Sequence, residues 1–370
     1  MKIFICEGNF SAGGAERVVC NLANYLVEKN DVMVVALTKT NMAYDMDENI
    51  KCASIDKKTY NSSSSLISKV LNKLTKNIYR LLKLNKMIRE YSPDLIVSFL
   101  PEPSMLTLLL KKFHKVPTII SVRNDPKIEY ASKLYYCIMK LTYPKADGVV
   151  FQTEEARDYF DGILKCSTTI IPNPINPEFS VKPFGGEKNK KIVSIGRLSE
   201  QKNQKVLIDA FSKISNDFPD YELVIYGDGE LRSDLENQIK KLGLEKKIKL
   251  PGVKKNIKEE IYEASLFVLP SLYEGMPNAL MEAMALGLPV ISTDCPCGGP
   301  AFLIENNVNG VLVKVNDVIE LENAMRKVLS NSDFATKIGK NANKINKTLA
   351  PDIINNQWYE YIKKIYNETK

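Results

Sequence analysis

No apolar run in this chain approaches the length needed to cross a membrane. The longest beside a helical pattern, Met105 to Leu110 (MLTLLL), is far short of the roughly 20 residues a spanning helix requires. The amino terminus lacks a basic leader, a long apolar segment and a cleavage-like site. Met1-Lys2 leads directly into a strand-like IFICEG, which reads as no secretory signal. No CxxC pair with zinc spacing occurs. The seven cysteines, Cys6, Cys20, Cys52, Cys137, Cys166, Cys295 and Cys297, are scattered and suit small buried thiols in a reducing cytoplasm. Cys295-Pro-Cys297 is read in the same way rather than as a metal or redox pair. The GxGxxG of dinucleotide binders is absent, which weakens a nicotinamide reading. Basic residues are not interleaved with aromatics in any nucleic-acid-binding motif, so no nucleic-acid partner is expected.

What is present fits an ordinary globular protein. At 370 residues, 44% apolar and 26% charged, the chain exceeds what one hydrophobic core usually supports, and two domains are the prior. The net charge of +7 is concentrated: Lys51 to Lys145 holds 18 basic and 6 acidic residues, a net +12. Within it, Leu66 to Glu90 spaces Ile67, Val70, Leu71, Leu74, Ile78, Leu81 and Leu82 as a helix would, with Lys69, Lys73, Lys76, Arg80 and Lys83 between them. Such a basic helix either lies on an anionic membrane surface or packs on the core with a solvated basic face.

Short apolar runs alternate with helical patterns in both halves. KIFIC, VMVVAL, LIVSF, TIISV and GVVFQT recur in style as KIVSIGRL, LVIYG, IKLPGV, LFVLPS, PVISTD and GVLVKV. Continuous apolar strands alternating with helices predict parallel, doubly wound α/β sheets covered on both faces. Ile170 to Lys191, rich in Pro, Gly and charge, reads as the linker. The predicted division is 1–172 and 173–351, with a terminal helix at about 352–368 that carries the lone Trp358 and packs back across the linker. Ligand is expected in a cleft between the halves, at the carboxyl ends of the strands.

Three stretches offer groups suited to a diphosphate. Gly13-Gly14 follow the first strand at a helix start, where glycine lets a ligand approach the backbone and free N–H groups favour a phosphate. In GRLSEQKN, Arg197 and Lys202 stand at a strand–helix junction and together suit a diphosphate whose negative charge grows as it leaves. In LYEGMPNALMEAMALGLPV, Pro277 begins a helix that Gly287 and Pro289 end. Its free amides near Asn278, Ala279 and Leu280 would face an anion, with Glu274 in the loop on one side and Glu282 inside the helix on the other. A ligand with hydroxyls on both sides of a diphosphate, a nucleotide sugar, would meet one acid on each side. The alternative is a loop acid and a solvated helix acid.

These residues carry a resemblance. EGMPNALMEAMALGLPVISTD resembles the E-x7-E segment of the family-4 retaining glycosyltransferases of GT-B fold, of the bacterial surface-polysaccharide type. SAGGAERVV, GRLSEQKNQKVLIDAF and YGDGELRSDLE resemble the same family in order and spacing. The resemblance implies two Rossmann-like domains facing across a cleft, the first binding acceptor and the second the nucleotide sugar. It implies that Glu282 binds ribose, Glu274 with Gly275, Met276 and Pro277 meets the donor hexose, and Arg197 and Lys202 hold the diphosphate. Gly13, Gly14 and the amides of Asn278 to Leu280 would assist, and Pro251, Gly252 and Val253 would contact the base. One departure is plain. Where many relatives carry a histidine after the strand TIISV, this chain has Arg123-Asn124-Asp125-Pro126, so Arg123 and Asn124, with Glu16, become the candidates for hexose or acceptor. His114 precedes that strand and should lie at its far end. Asp45-Met46-Asp47 sits in a loop and is read as solvated, and neither a metal nor a cofactor is implied.

The reading is therefore a cytoplasmic transferase, peripheral at the inner face of the cell membrane. It would move a hexose or N-acetylhexosamine from a UDP-sugar to a lipid-linked saccharide, with Arg197, Lys202 and Glu274 at the chemistry. A sugar-nucleotide epimerase of the same fold, or a catalytically silent partner subunit, are the alternatives.

Overall fold

A computed structural model of the protein describes residues 1–11, 13–39, 41–56 and 66–370, the side chains of 66–74 excepted. The chain divides into two units, Met1–Pro172 with Asp352–Lys370, and Asn173–Pro351.

The first unit is built on a seven-stranded sheet, all of whose pairings are parallel. Its strands are β1 (Lys2–Glu7), β2 (Asp31–Thr38), β3 (Lys51–Asp56), β4 (Leu95–Phe99), β5 (Thr118–Ser121), β6 (Gly148–Phe151) and β7 (Ser167–Ile170). Their order is β3-β2-β1-β4-β5-β6-β7. The central strands are the apolar runs of the sequence, because both faces are covered by helices; their few polar members, such as Glu7, Ser98 and Ser121, are buried with them. β3 (KCASID) and β7 (STTI) carry no such run and were not expected. They are the two edges of the sheet, half exposed, and so have no continuous apolar signature. The helix Lys133–Thr142 was also missed. The terminal helix Pro351–Glu368 packs on this unit: Trp358 is fully buried with its ring 5.4 Å from that of Phe99, and the Tyr361 hydroxyl donates to the Ser167 carbonyl at 2.7 Å.

The basic helix spans Leu66–Tyr91, but its phase differs from the expectation. It buries Leu84, Ile88 and Tyr91 in a core with Phe4, Val35 and Ile96, whereas Ile78 and Leu82 are 56% and 67% exposed. Arg80, counted in the sequence as part of a solvated basic face, is buried. Its guanidinium bonds Asp56 at the end of β3 at 2.6 Å, Glu102 at 2.6 Å and the Thr38 hydroxyl at 2.8 Å. A buried carboxylate at the strand end demands a buried cation, and that rotates the helix. Lys76 lies 3.6 Å from the same Asp56, while the side chains of Lys69 and Lys73 lie outside the described residues. The expectation of buried thiols also needs correction: Cys6, Cys20, Cys295 and Cys297 are buried, but Cys52 and Cys137 are exposed.

The second unit holds a six-stranded parallel sheet in the order β10-β9-β8-β11-β12-β13. These strands are β8 (Asn189–Ile195), β9 (Glu222–Tyr226), β10 (Ile248–Gly252), β11 (Ala264–Leu269), β12 (Val290–Thr293) and β13 (Val311–Val313). One core fills the sheet face under the helices Gln204–Ile214 and Val318–Ser330, with Leu207, Phe211, Leu266, Ile291 and Met325 among its buried members. Strand order reverses between β8 and β11, the position where open α/β sheets leave a crevice outside the strands' carboxyl ends. Arg197 follows β8 and Glu274 follows β11.

Candidate functional site

The loops after β8 and β11 are tied together at this reversal. After β8 a short 3-10 turn, Glu200–Lys202, is followed by Asn203 at φ 49°, a left-handed conformation asparagine tolerates, which turns the chain into the helix Gln204–Ile214. The loop after β11 hangs on that turn: the Leu272 amide donates to the Gln201 carbonyl at 2.8 Å, and the Gln201 side-chain amide to the Tyr273 carbonyl at 3.1 Å. From the other side the Glu274 amide donates to the Pro296 carbonyl at 3.1 Å. Gly299 lies so close that a Cβ there would sit 1.6 Å from the Gly275 oxygen. A side chain at this position would push the Glu274–Gly275 turn away.

The result is an ion pair. The Lys202 ammonium bonds Glu274 Oε1, and the same oxygen accepts from the Ser271 hydroxyl at 2.7 Å. The side chains of Lys202 and Glu274 are 21% and 7% exposed. Ser271, fully buried, was not singled out from the sequence; no local pattern marks it, and only its place three residues before Glu274 hints at the role. Arg197 is exposed, with its carbonyl held by the Gln204 side-chain amide at 2.9 Å.

The helix after the Glu274 turn spans Asn278–Ala285, with Pro277 as its N-cap residue, no side-chain cap and no acid in the first turn. Its leading N–H groups are therefore available to an anion. The Asn173 side chain, another residue the sequence did not mark, donates to Asn278 Oδ1 at 3.0 Å and steadies this end. Met276 and Leu280 are buried, and Glu282 is 8% exposed within the helix.

Arg197 and Val253 line one pocket of about 350 Å³ with Gly196, Tyr226, Gly227 and Asp228. Pro251 and Gly252 end β10, and Val253 is 76% exposed just beyond. Gly227, at φ 133°, permits this pocket: a Cβ there would meet the Gly196 oxygen at 2.0 Å. The structure thus brings Arg197 to Val253, one of the three expected base contacts, and Lys202 to Glu274; Lys202 does not line the Arg197 pocket.

The remaining candidates belong to the first unit. The helix Gly14–Val27 starts after Gly13, whose backbone is extended and needs no glycine for its φ. The Glu16 carboxylate folds back over Gly13, where a Cβ would meet it at 2.0 Å, so an acid of the first turn already sits by these amides. Arg123, expected to be open to a ligand, is buried at the carboxyl end of β5. Its guanidinium lies 5.1 Å from the Phe99 ring and 5.3 Å from the Trp358 ring, and burial lowers its pKa to about 9. Its positive charge acts on Glu7 at the end of β1, an acid missed in the sequence because it closes an apolar strand. Glu7 is fully buried, and desolvation raises its pKa to about 8. Asn124 donates to Glu129 Oε1 at 2.7 Å, and burial raises the pKa of that acid to about 7. His114 ends the helix Pro101–His114, at the amino end of β5, with its pKa lowered to about 4 by burial. Asp45 and Asp47 are exposed.

A parallel sheet with a strand-order reversal, cations and an open helix end at that reversal define an α/β protein with a candidate anion site at the crevice. Two family models match it, Glycosyltransferase Family 4 over residues 12–179 and Glycosyl transferases group 1 over residues 176–345. The chain belongs to the family-4 glycosyltransferases of GT-B fold, and is a transferase. It is 26% identical over 369 residues, 99% of each chain, to the GalNAc-α-(1→4)-GalNAc-α-(1→3)-diNAcBac-PP-undecaprenol α-1,4-N-acetyl-D-galactosaminyltransferase of Campylobacter jejuni. It is 35% identical to an uncharacterized glycosyltransferase of Methanocaldococcus jannaschii, in a match that spans 61% of each chain. Among solved structures, that of Anabaena HepE in complex with UDP superposes with a TM-score of 0.82 at 19% identity, covering 98% of this chain and 100% of that one.

Proposed function

We propose that the chain transfers a hexose or N-acetylhexosamine, with retention of anomeric configuration, from a UDP-sugar to a lipid-linked saccharide in surface-polysaccharide or glycan assembly. The observation that carries this reading is the grouping of Arg197, the Lys202–Glu274 pair and the uncapped start of Asn278–Ala285 at one strand-order reversal. The diphosphate is assigned to Arg197, Lys202 and the amides of Asn278 to Leu280, the hexose to Glu274 with Gly275, Met276 and Pro277, and the ribose to Glu282. The base is assigned to the Pro251–Val253 backbone. The lipid-linked acceptor and the UDP donor draw support from the undecaprenol-linked substrate in the Campylobacter relative's name and from the UDP in the HepE complex.

No carboxylate is assigned as nucleophile here. The acceptor hydroxyl attacks the anomeric carbon from the face the diphosphate is leaving. The bond from that carbon to the phosphate oxygen breaks as the bond to the acceptor oxygen forms, and the acceptor's proton passes to the leaving phosphate. Arg197 and Lys202 hold the charge that grows on it, the task a metal performs elsewhere. Acceptor recognition is assigned to the first unit, through Glu16 and Asn124, which unlike the buried Arg123 are open to a ligand. Docking at the inner membrane surface is assigned to the outer side of the Leu66–Tyr91 helix, where Ile78 and Leu82 are exposed beside Lys86 and Arg89.

A panel of nucleotide sugars, screened for protection against thermal unfolding, selects the donor. Transfer from it to short diphospholipid-linked saccharides, with the anomer read by NMR, then tests the reaction. Protection by no UDP-sugar, or an inverted product, refutes this reading.

A further inference from the structure

The amino-terminal ends of the second sheet carry a pocket that none of the donor residues enters. It encloses about 730 Å³, inside the range of about 300–1,000 Å³ usual for small-molecule sites. One wall is the segment Pro183 to Lys190 that leads into β8; the other is the junction of the helices Val318–Ser330 and Ser332–Ala342. Tyr221 precedes β9, Ser265 is the second residue of β11, and Pro289 precedes β12. All three stand at strand starts, whereas Arg197 and Glu274 follow strand ends, so this is a separate site.

Its lining is chemically distinctive. Lys188, Lys190 and Lys340 share it with a single acid, Glu187, and the hydroxyls of Ser332 and Thr336 stand at the beginning of a helix. Phe184, Tyr221, Val328 and Leu329 supply apolar surface. Lys190 lies 5.5 Å from the Tyr221 ring centroid. Lys188 is half-buried, and among the described residues no carboxylate or carbonyl bonds its ammonium. Burial alone lowers its pKa to about 8. A desolvated ammonium without a counter-charge is costly, and a bound anion removes that cost.

We propose that this pocket binds an organic phosphate, its phosphate held by Lys188, Lys190 and Lys340 and its ring against Phe184 and Tyr221. Occupancy would be felt by the donor helix. Gly287, which lines the pocket just after the helix Asn278–Ala285, touches the helix Ser332–Ala342: a Cβ on Gly339 would sit 2.5 Å from the Gly287 oxygen.

The test is calorimetric titration of the full chain, saturated with UDP, with glucose 6-phosphate and separately with glucose. Glucose 6-phosphate should bind and glucose should not. Lys188→Met with Lys190→Met should weaken glucose 6-phosphate at least tenfold while leaving UDP affinity unchanged. Arg197→Ala, titrated without UDP, should show the reverse: weak UDP and intact glucose 6-phosphate. That contrast separates this site from the donor reading, since either can fail alone. No heat with glucose 6-phosphate, equal binding of glucose, or undiminished binding in the double variant would overturn the proposal.

Discussion

Replacing Lys202 by alanine probes the donor site most directly. Lys202 neutralises Glu274, whose side chain is 7% exposed and otherwise bonded to the Ser271 hydroxyl. Take the lysine away and two things happen when a diphosphate arrives. A charge-assisted hydrogen bond to phosphate is lost, worth about 1.5–3 kcal/mol. The bare Glu274 carboxylate also faces the incoming charge, and like charges about 4 Å apart repel by about 4 kcal/mol at an effective dielectric near 20. Even the first effect with part of the second lowers UDP affinity by about 10²-fold or more in Lys202→Ala. Glu274→Gln should do the opposite: it keeps Lys202, releases it from its partner, and leaves UDP binding as tight as in the wild type or tighter. The combination Lys202→Ala with Glu274→Gln removes the repulsion, and should recover tenfold or more of the affinity that Lys202→Ala lost. Calorimetric titration with UDP measures all four proteins without needing the acceptor. If the two single changes simply add within about 0.5 kcal/mol, Lys202 and Glu274 do not act on the same charge and the donor assignment fails.

Three further outcomes are expected. Glu282→Gln should raise the Kd for UDP while changing the turnover number little, since a ribose contact is the same in ground and transition states; unchanged UDP affinity would remove the ribose assignment. Arg80→Met should lower the urea midpoint of the first unit, because it leaves the buried Asp56 carboxylate with only the longer Lys76 contact, at a cost of up to about 3–5 kcal/mol. Lys83→Gln, Lys86→Gln and Arg89→Gln together should instead leave that midpoint in place and abolish low-salt sedimentation with anionic vesicles. His114 has its pKa lowered from 6.5 to about 4. The folded state therefore favours the neutral ring, and the stability this represents is present above pH 6.5 and lost as pH falls toward 4. Thermal midpoints of His114→Leu should fall less steeply over that window than those of the wild type.

Where sequence and structure agree, burial on both sides is the reason. Strands such as LIVSF and GVVF lie in the middle of a covered sheet, so they are almost wholly apolar, Ser98 excepted, and the run is legible. β3 and β7 border the sheet, and half-exposed edges write no such run. The helix after Glu274 was legible because its signals are local: a proline and a glycine bracket it, and a loop acid precedes it. What stayed hidden is what distant segments do to one another. Lys202 and Glu274 look like two independent ligands in the sequence, and only the β8–β11 adjacency makes them a pair. Arg80 sits in a basic run and reads as solvated until Asp56, 24 residues earlier, is seen to claim it.

The two acids that flank the helix start end up in different electrostatic settings, and this decides how they divide the labour. Glu274 has a cation and a hydroxyl on one oxygen, so its charge is already balanced when no donor is present. A diphosphate that draws Lys202 toward itself weakens that balance, and Glu274 then gains most by accepting from a hydroxyl of the sugar. On the proposed assignment, donor binding and hexose recognition would thereby be coupled through one lysine. Glu282 lies within the helix at 8% exposure, on rigid backbone rather than in the loop. Its contact cannot strengthen as the phosphate leaves, which suits an acid that holds a ribose in place. Under the proposed assignments, a loop acid that responds to charge and a helix acid that does not would let a transferase grip its nucleotide constantly and its sugar conditionally.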